Sequence, residues 1–275
     1  MRVIDVLKEA IEILNDNEIN EPIIKSRILL ADLLKIRKEE LIFNELKELE
    51  PEVVRLYMNR IYKLCEDYPL QYIIGRQEFM GYTFEVNENV LIPRNDTEIL
   101  VEEAFKYAHN DVLELCTGSG AIAISLAKKY DDVKIVATDI SNKALEVARN
   151  NAYLHEVDID FLNSDLFENV QGKYDLIIAN PPYIETEKIK MLEKQVRKEP
   201  LIALDGGKDG LFFYRRIAVR ANDFLKNDGY MCLEIGYNQK KSVIEILKGK
   251  YDEIKCIKDL SGNDRVIVCK KKGWK

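Results

Sequence analysis

The chain has 275 residues, enough for one large domain or a small one beside a medium one. Its 47% hydrophobic and 32% charged residues fit a globular protein in water, and no apolar run approaches the roughly 20 residues of a membrane span. A net charge of −7 argues against a nucleic-acid binder and suits a basic protein partner.

Arg2, Asp5, Lys8 and Glu9 punctuate the first apolar residues, the pattern of an amphipathic helix and not of a signal peptide. Val3, Leu7, Ile11 and Leu14 continue that helix. A second helix is expected over about 23–34, with Pro22 where a first turn tolerates proline. A short piece near Lys38–Phe43 follows, then a helix from Pro51 with Val54, Tyr57, Ile61 and Leu64 on one face. Together these predict a small helical bundle over 1–68, a partner-binding module with no cluster of titratable groups. From Pro69 to Asn95 the texture is that of a connector, with two short strands around Gly81. Asn95 is expected to cap the next helix, with Glu98 closing a capping box. Arg94 either holds this connector in place or lines a ligand cleft, and both readings stay open.

Over 96–275 strands and helices alternate, which predicts a mostly parallel sheet of seven strands with helices on both faces and an antiparallel edge at the chain's end. Gly118-Ser119-Gly120-Ala121-Ile122-Ala123 fits G-x-G-x-x-A between a strand and a helix, where the backbone turns sharply and a ligand approaches closely. Asp139 lies about twenty residues on, placed to accept from ribose hydroxyls, or else to cap the next helix, which Ser141 does equally well. The pair of features indicates a nucleoside cofactor. A methyl donor without a pyrophosphate needs the turn and the carboxylate but no phosphate cluster, whereas a nicotinamide enzyme would want a hydride-transfer site. Glu114 is a candidate for the cofactor's ammonium group, and Asp165, Leu166 and Phe167 for an edge contact and wall at adenine. After the apolar run Leu176–Ala179 comes Asn180-Pro181-Pro182-Tyr183, a stiff loop at the carboxyl end of a buried strand. The charged segment 185–198 is either a lid or a solvated helix. Five cysteines without a C-x-x-C pair, and only two histidines, predict no metal site and a reducing, cytoplasmic setting.

The chain resembles the HemK/PrmC release factor glutamine methyltransferases over nearly its whole length. The residues that carry this are Pro69–Gly75, Phe79-Met80-Gly81, Leu91-Ile92-Pro93-Arg94 with Thr97-Glu98, Thr117–Gly120, Asp139-Ile140-Ser141, Asn180–Ile184, Glu199-Pro200, Asp205-Gly206-Gly207, Asp209-Gly210-Leu211 and Glu234-Ile235-Gly236. Cys116 stands where the family often has glycine, and Asn95 where it often has proline. The resemblance implies a class I, Rossmann-like methyltransferase domain that uses S-adenosylmethionine and releases S-adenosylhomocysteine. It also implies a substrate glutamine in the Gly-Gly-Gln motif of class 1 release factors, a monomeric enzyme, and no direct need for nucleic acid or membrane. Cofactor contacts are then expected from Glu114, Cys116, Thr117, Gly118, Ser119, Gly120, Asp139, Ile140, Asp165, Leu166 and Asn180. Asn180, Pro181, Pro182, Tyr183 and Arg94 are expected at the substrate. In that picture the Asn180 side-chain carbonyl and the Pro181 backbone carbonyl accept the two N–H bonds of the glutamine amide, and Tyr183 stacks on it. A ribosomal-protein glutamine methyltransferase, or an amino-methylating DNA enzyme with a basic recognition domain, are the competing substrates.

Overall fold

A computed structural model describes residues 1–273, so the last two residues of the domain expected over 96–275 lie outside it. Two compact units divide the chain: Met1–Gly75 with Glu193–Lys198, and Arg76–Leu192 with the chain from Glu199 onward.

In the first unit, α1 (Val3–Asp16), α2 (Pro22–Leu34) and α3 (Pro51–Cys65) pack around Leu14, Leu29, Leu30, Tyr57, Ile61 and Leu64, all buried. Pro22 and Pro51 each open a helix, where their missing N–H costs nothing. A 3-10 turn spans Lys38–Asn44 and a short helix, α4, Leu70–Ile74. The charged segment after residue 185 splits. It carries α8 (Thr186–Ile189) in the second unit, whereas Glu193–Lys198 belongs to the helical unit, with Lys194 3.5 Å from Asp67 and Lys198 over the Tyr68 ring.

The second unit opens with the hairpin β1 (Arg76–Phe79) and β2 (Tyr82–Glu85), then α5 (Asn95–Ala104). The expected capping box does not form: Asn95 is already helical, Arg94 is the cap residue, and Glu98 instead accepts from the Met80 amide at 2.6 Å, anchoring the hairpin turn to α5. The sheet follows as β3 (Asp111–Leu115), β4 (Lys134–Asp139), β5 (Asp160–Asn163), β6 (Tyr174–Ala179), β7 (Leu225–Glu234), β8 (Tyr251–Lys258) and β9 (Asp264–Lys271). Its spatial order is β5-β4-β3-β6-β7-β9-β8. The pairs from β5 to β7 are parallel, and β9 inserts antiparallel between β7 and β8. Helices α6 (Ala121–Lys129), α7 (Asn142–Leu154), α10 (Phe212–Phe224) and α11 (Lys240–Leu247), with the short α9 (Leu201–Leu204), complete the unit.

Burial explains why β6 is central. Leu176, Ile177, Ile178 and Ala179 are all inaccessible, and covering each large aliphatic side chain contributes about 1.5–3 kcal/mol. The order of strands reverses between β3 and β6, which pair directly with Leu115 beside Ala179. In open α/β sheets that reversal leaves a crevice at the strands' carboxyl ends, and ligands bind there.

Candidate active site

A cavity of about 370 Å³ lies at these carboxyl ends, within the second unit. It is lined by Arg94, Cys116, Thr117, Gly118, Ser119, Asp139, Ile140, Asp165, Leu166, Asn180 and Pro182. Residues spread over almost ninety positions of sequence are thus gathered by the ends of β3, β4, β5 and β6.

The turn after β3 is held from both sides. The Thr117 amide donates to the Thr138 carbonyl at 2.9 Å, and the Gly118 amide donates to Asp139 Oδ2 at 2.9 Å. Gly120 (φ +81°) brings α6 onto α7 so closely that a Cβ would sit 3.2 Å from that of Ala148. Cys116 takes a left-handed φ of 60° where glycine would be unstrained, and burial raises its thiol pKa. Asp139 Oδ1 accepts from the Ser141 amide at 2.9 Å, while Ser141 itself caps α7 by accepting from Ala144. Helix capping therefore falls to Ser141. Each Asp139 oxygen keeps a lone pair for a ligand.

Glu114, expected to face the cofactor's ammonium group through a water or backbone group, sits behind the turn. It is fully buried beneath the turn, and its Oε2 accepts from the Thr117 hydroxyl (2.7 Å) and the Ala123 amide (3.1 Å). It does not line the cavity but ties the turn to α6, and burial pushes its pKa up to about 8. Gly120 and Pro181 are likewise absent from the lining. Phe167 turns away to stack on Phe224 at 4.8 Å, leaving Leu166 as the wall residue. Asp165 does line the cavity, with both oxygens 2.9 Å from the Arg216 guanidinium.

Arg94 lines the cavity and is ion-paired to Glu199, whose other oxygen accepts from the Ile92 amide at 3.1 Å. Tyr183 corrects an expectation: its ring packs against the core rather than facing the cavity, and its hydroxyl donates to Glu234 Oε1 at 3.4 Å. Asn180 donates through Nδ2 to the Thr97 hydroxyl at 3.3 Å.

The loop's stiffness has a second source besides its prolines. Ile184 donates to the Leu204 carbonyl and Gly206 to the Ile184 carbonyl, while Gln239 Nε2 donates to the carbonyls of Tyr183 (2.9 Å) and Gly210 (3.1 Å). Gly206 lies so close that a Cβ there would fall 2.7 Å from the Tyr183 Cα. Thr97, Gln239 and Glu234 are residues that the sequence did not single out for a role. The glycine run 205–211 and the Glu234–Gly236 stretch belong to the motif pattern, and their clustering around one loop was the available signal.

Sequence profiles of two families match: PrmC N-terminal domain over residues 5–75, and methyltransferase small domain over residues 94–202. The release factor glutamine methyltransferase of Clostridium acetobutylicum is 38% identical over 284 residues, spanning 99% of this chain and 100% of that protein. That of Fusobacterium nucleatum is 37% identical, spanning 98% of this chain and 78% of its own. The chain belongs to the release factor glutamine methyltransferase family. Among solved structures, a methyltransferase from Pyrococcus furiosus superposes with a TM-score of 0.56 at 22% identity, covering 78% of this chain and 99% of that one. This family member thus carries the class I methyltransferase fold, preceded by a helical unit and a hairpin. It is a methyltransferase. Among the described residues no helix is long and apolar enough to cross a membrane, and no cluster of metal-ligating side chains is found.

Proposed function

We propose that this methyltransferase transfers the methyl group of S-adenosylmethionine to the side-chain amide nitrogen (N5) of the Gly-Gly-Gln glutamine in class 1 release factors. The observation that carries this reading is that a single cavity is lined both by Asp139 with the Cys116–Ser119 turn and by Asn180 with Pro182.

The donor set fits the cofactor. Asp139 retains acceptor capacity for ribose hydroxyls, and Ile140 and Leu166 offer apolar surface to a base. Both arginines of the cavity are already neutralised, Arg94 by Glu199 and Arg216 by Asp165, so neither is free to hold a pyrophosphate. That favours a methyl donor over a dinucleotide. Bound there, S-adenosylmethionine supplies a methyl group on a positively charged sulfur and departs as S-adenosylhomocysteine.

An amide nitrogen is a weak nucleophile because its lone pair is delocalised into the carbonyl. In this reading the Asn180 carbonyl oxygen and the Pro181 backbone carbonyl accept the two N–H bonds, which localises the lone pair and aims it. As the new N–C bond forms, the S–C bond breaks with its electrons on sulfur, and the nitrogen then gives a proton to water. Holding two reactants in line contributes about 7–11 kcal/mol, so no general base is required. The rigid support of the loop by Gly206 and Gln239 serves that positioning. Tyr183 supports the loop from the core side instead of stacking on the substrate.

The helical unit offers the docking surface that a folded protein substrate needs, and the net charge of −7 disfavours DNA. Incubation with methyl-labelled S-adenosylmethionine and a release factor, a ribosomal-protein fraction or DNA tests the reading. Label on the release factor is expected, and label on DNA or ribosomal protein alone overturns it.

A further inference from the structure

Thr97 lines the cavity beside Asn180, and neither it nor the buried Glu234 has a role in the reading above. Thr97, on α5, is 4% exposed, and Glu234, the last residue of β7, is 2% exposed. Asn180 Nδ2 donates to the Thr97 hydroxyl at 3.3 Å. Burial pushes Glu234 up to about 7, and the Thr97 hydroxyl followed by Arg265 acts against that rise, with Asp96 reinforcing it. Glu234 Oε1 takes the Tyr183 hydroxyl, whereas Oε2 is buried with no hydrogen-bond partner.

The chemistry of these groups gives the chain of contacts one direction. An ionised carboxylate only accepts, and a threonine hydroxyl has a single proton. In the structure the Thr97 oxygen is the acceptor and the Asn180 amide nitrogen the donor. An asparagine side chain has a donor end and an acceptor end, so its NH₂ must face Thr97 and its Oδ1 must face the other way. In the reverse orientation Asn180 would present N–H groups to the substrate's own N–H groups, and the acceptor would be lost.

We infer that Thr97 is a positioning residue that fixes the Asn180 side chain with its carbonyl oxygen presented to the substrate amide. This rests on the proposed role of Asn180, and it adds a specificity: the site selects a group that donates two N–H bonds over a carbonyl or hydroxylate that only accepts. Thr97 acts through Asn180 and does not touch the reacting atoms in this account.

The test is Thr97→Val, which keeps shape and removes the hydroxyl, beside Thr97→Ser, which restores it. Thr97→Val is expected to lower kcat about tenfold, the scale of one lost hydrogen bond, and Thr97→Ser to recover most of it. The Kd for S-adenosylmethionine and the melting temperature should stay near those of the parent. In an Asn180→Ala background, Thr97→Val should have no further effect on the residual rate. Parental turnover in Thr97→Val, or an equal loss in both backgrounds, overturns the positioning role while leaving the proposed function intact. Parental turnover in Asn180→Ala overturns both.

Discussion

The two units differ most in what they hide. The helical unit buries an aliphatic core with Ser26 and Asp32 as its buried polar residues, and leaves Ile42, Phe43 and Leu46 exposed. The sheet unit does the opposite near its cavity, burying Thr97, Glu114, Thr138, Glu199, Glu234 and Gln239. Burying such groups is costly unless they are hydrogen-bonded, so they persist where a geometry has to be fixed. The difference separates a unit organised to present a surface from one organised to hold a few atoms in place.

Five measurements would break or sharpen that contrast. The largest effect is expected from Asn180→Ala. Removing a preorganised polar partner at a reacting centre typically costs about 10²–10³ in kcat. The Kd for S-adenosylmethionine, read by calorimetry, should move far less. Next comes Asp139→Asn, which weakens the acceptor at the end of β4. Losing a charge-assisted hydrogen bond of about 1.5–3 kcal/mol should weaken cofactor binding roughly 10–100-fold.

Gly206→Ala probes the stiffness of the loop. A Cβ 2.7 Å from the Tyr183 Cα must push the backbone aside. Overpacking of this kind costs about 1–3 kcal/mol in denaturant unfolding, and turnover should fall along with stability. On the helical unit, Phe43→Ser should leave cofactor affinity and stability nearly unchanged and raise only the KM for the release factor. A parental KM would remove that face, which is 87% exposed at Phe43, from the docking account.

The last measurement concerns pH. Glu114 is neutral more readily in the folded chain, about 8, than its ordinary 4.5, because burial disfavours its charge. Its stabilising contribution is therefore complete below the unfolded value and is lost as pH rises through the folded one. Unfolding free energy should slope downward across that interval by up to about 1.4 kcal/mol per pH unit. Glu114→Gln, measured by chemical denaturation, should flatten the slope.

Much of this architecture was legible in the sequence because it depends on local signals. The apolar run of β6, the glycine turn after β3 and the spacing to Asp139 follow from strand burial and backbone geometry alone. Helix ends were read less well. Asn95 and Glu98 fit a capping box by pattern, yet Glu98 is drawn off to the Met80 amide by the packing of the hairpin, which no local rule encodes. The same holds for Glu114, whose place beneath the turn depends on Thr117 and Ala123 folding over it. Tyr183 was misjudged for a related reason. An aromatic residue after two prolines can face either side of its loop, and the choice was made by Glu234, which lies 51 residues away on β7. Partners distant in the chain decided the cases of Glu98 and Tyr183, whereas Glu114 turns on Thr117 and Ala123 close by in sequence.

The most direct test follows the methyl group itself. A release factor incubated with labelled S-adenosylmethionine and this enzyme would be digested and the labelled residue located by mass spectrometry, with the Asn180→Ala variant run in parallel at matched cofactor occupancy. The account predicts label on the side-chain nitrogen of the Gly-Gly-Gln glutamine, and its near-complete loss in the variant. Label on another residue, or equal labelling by the variant, would contradict it.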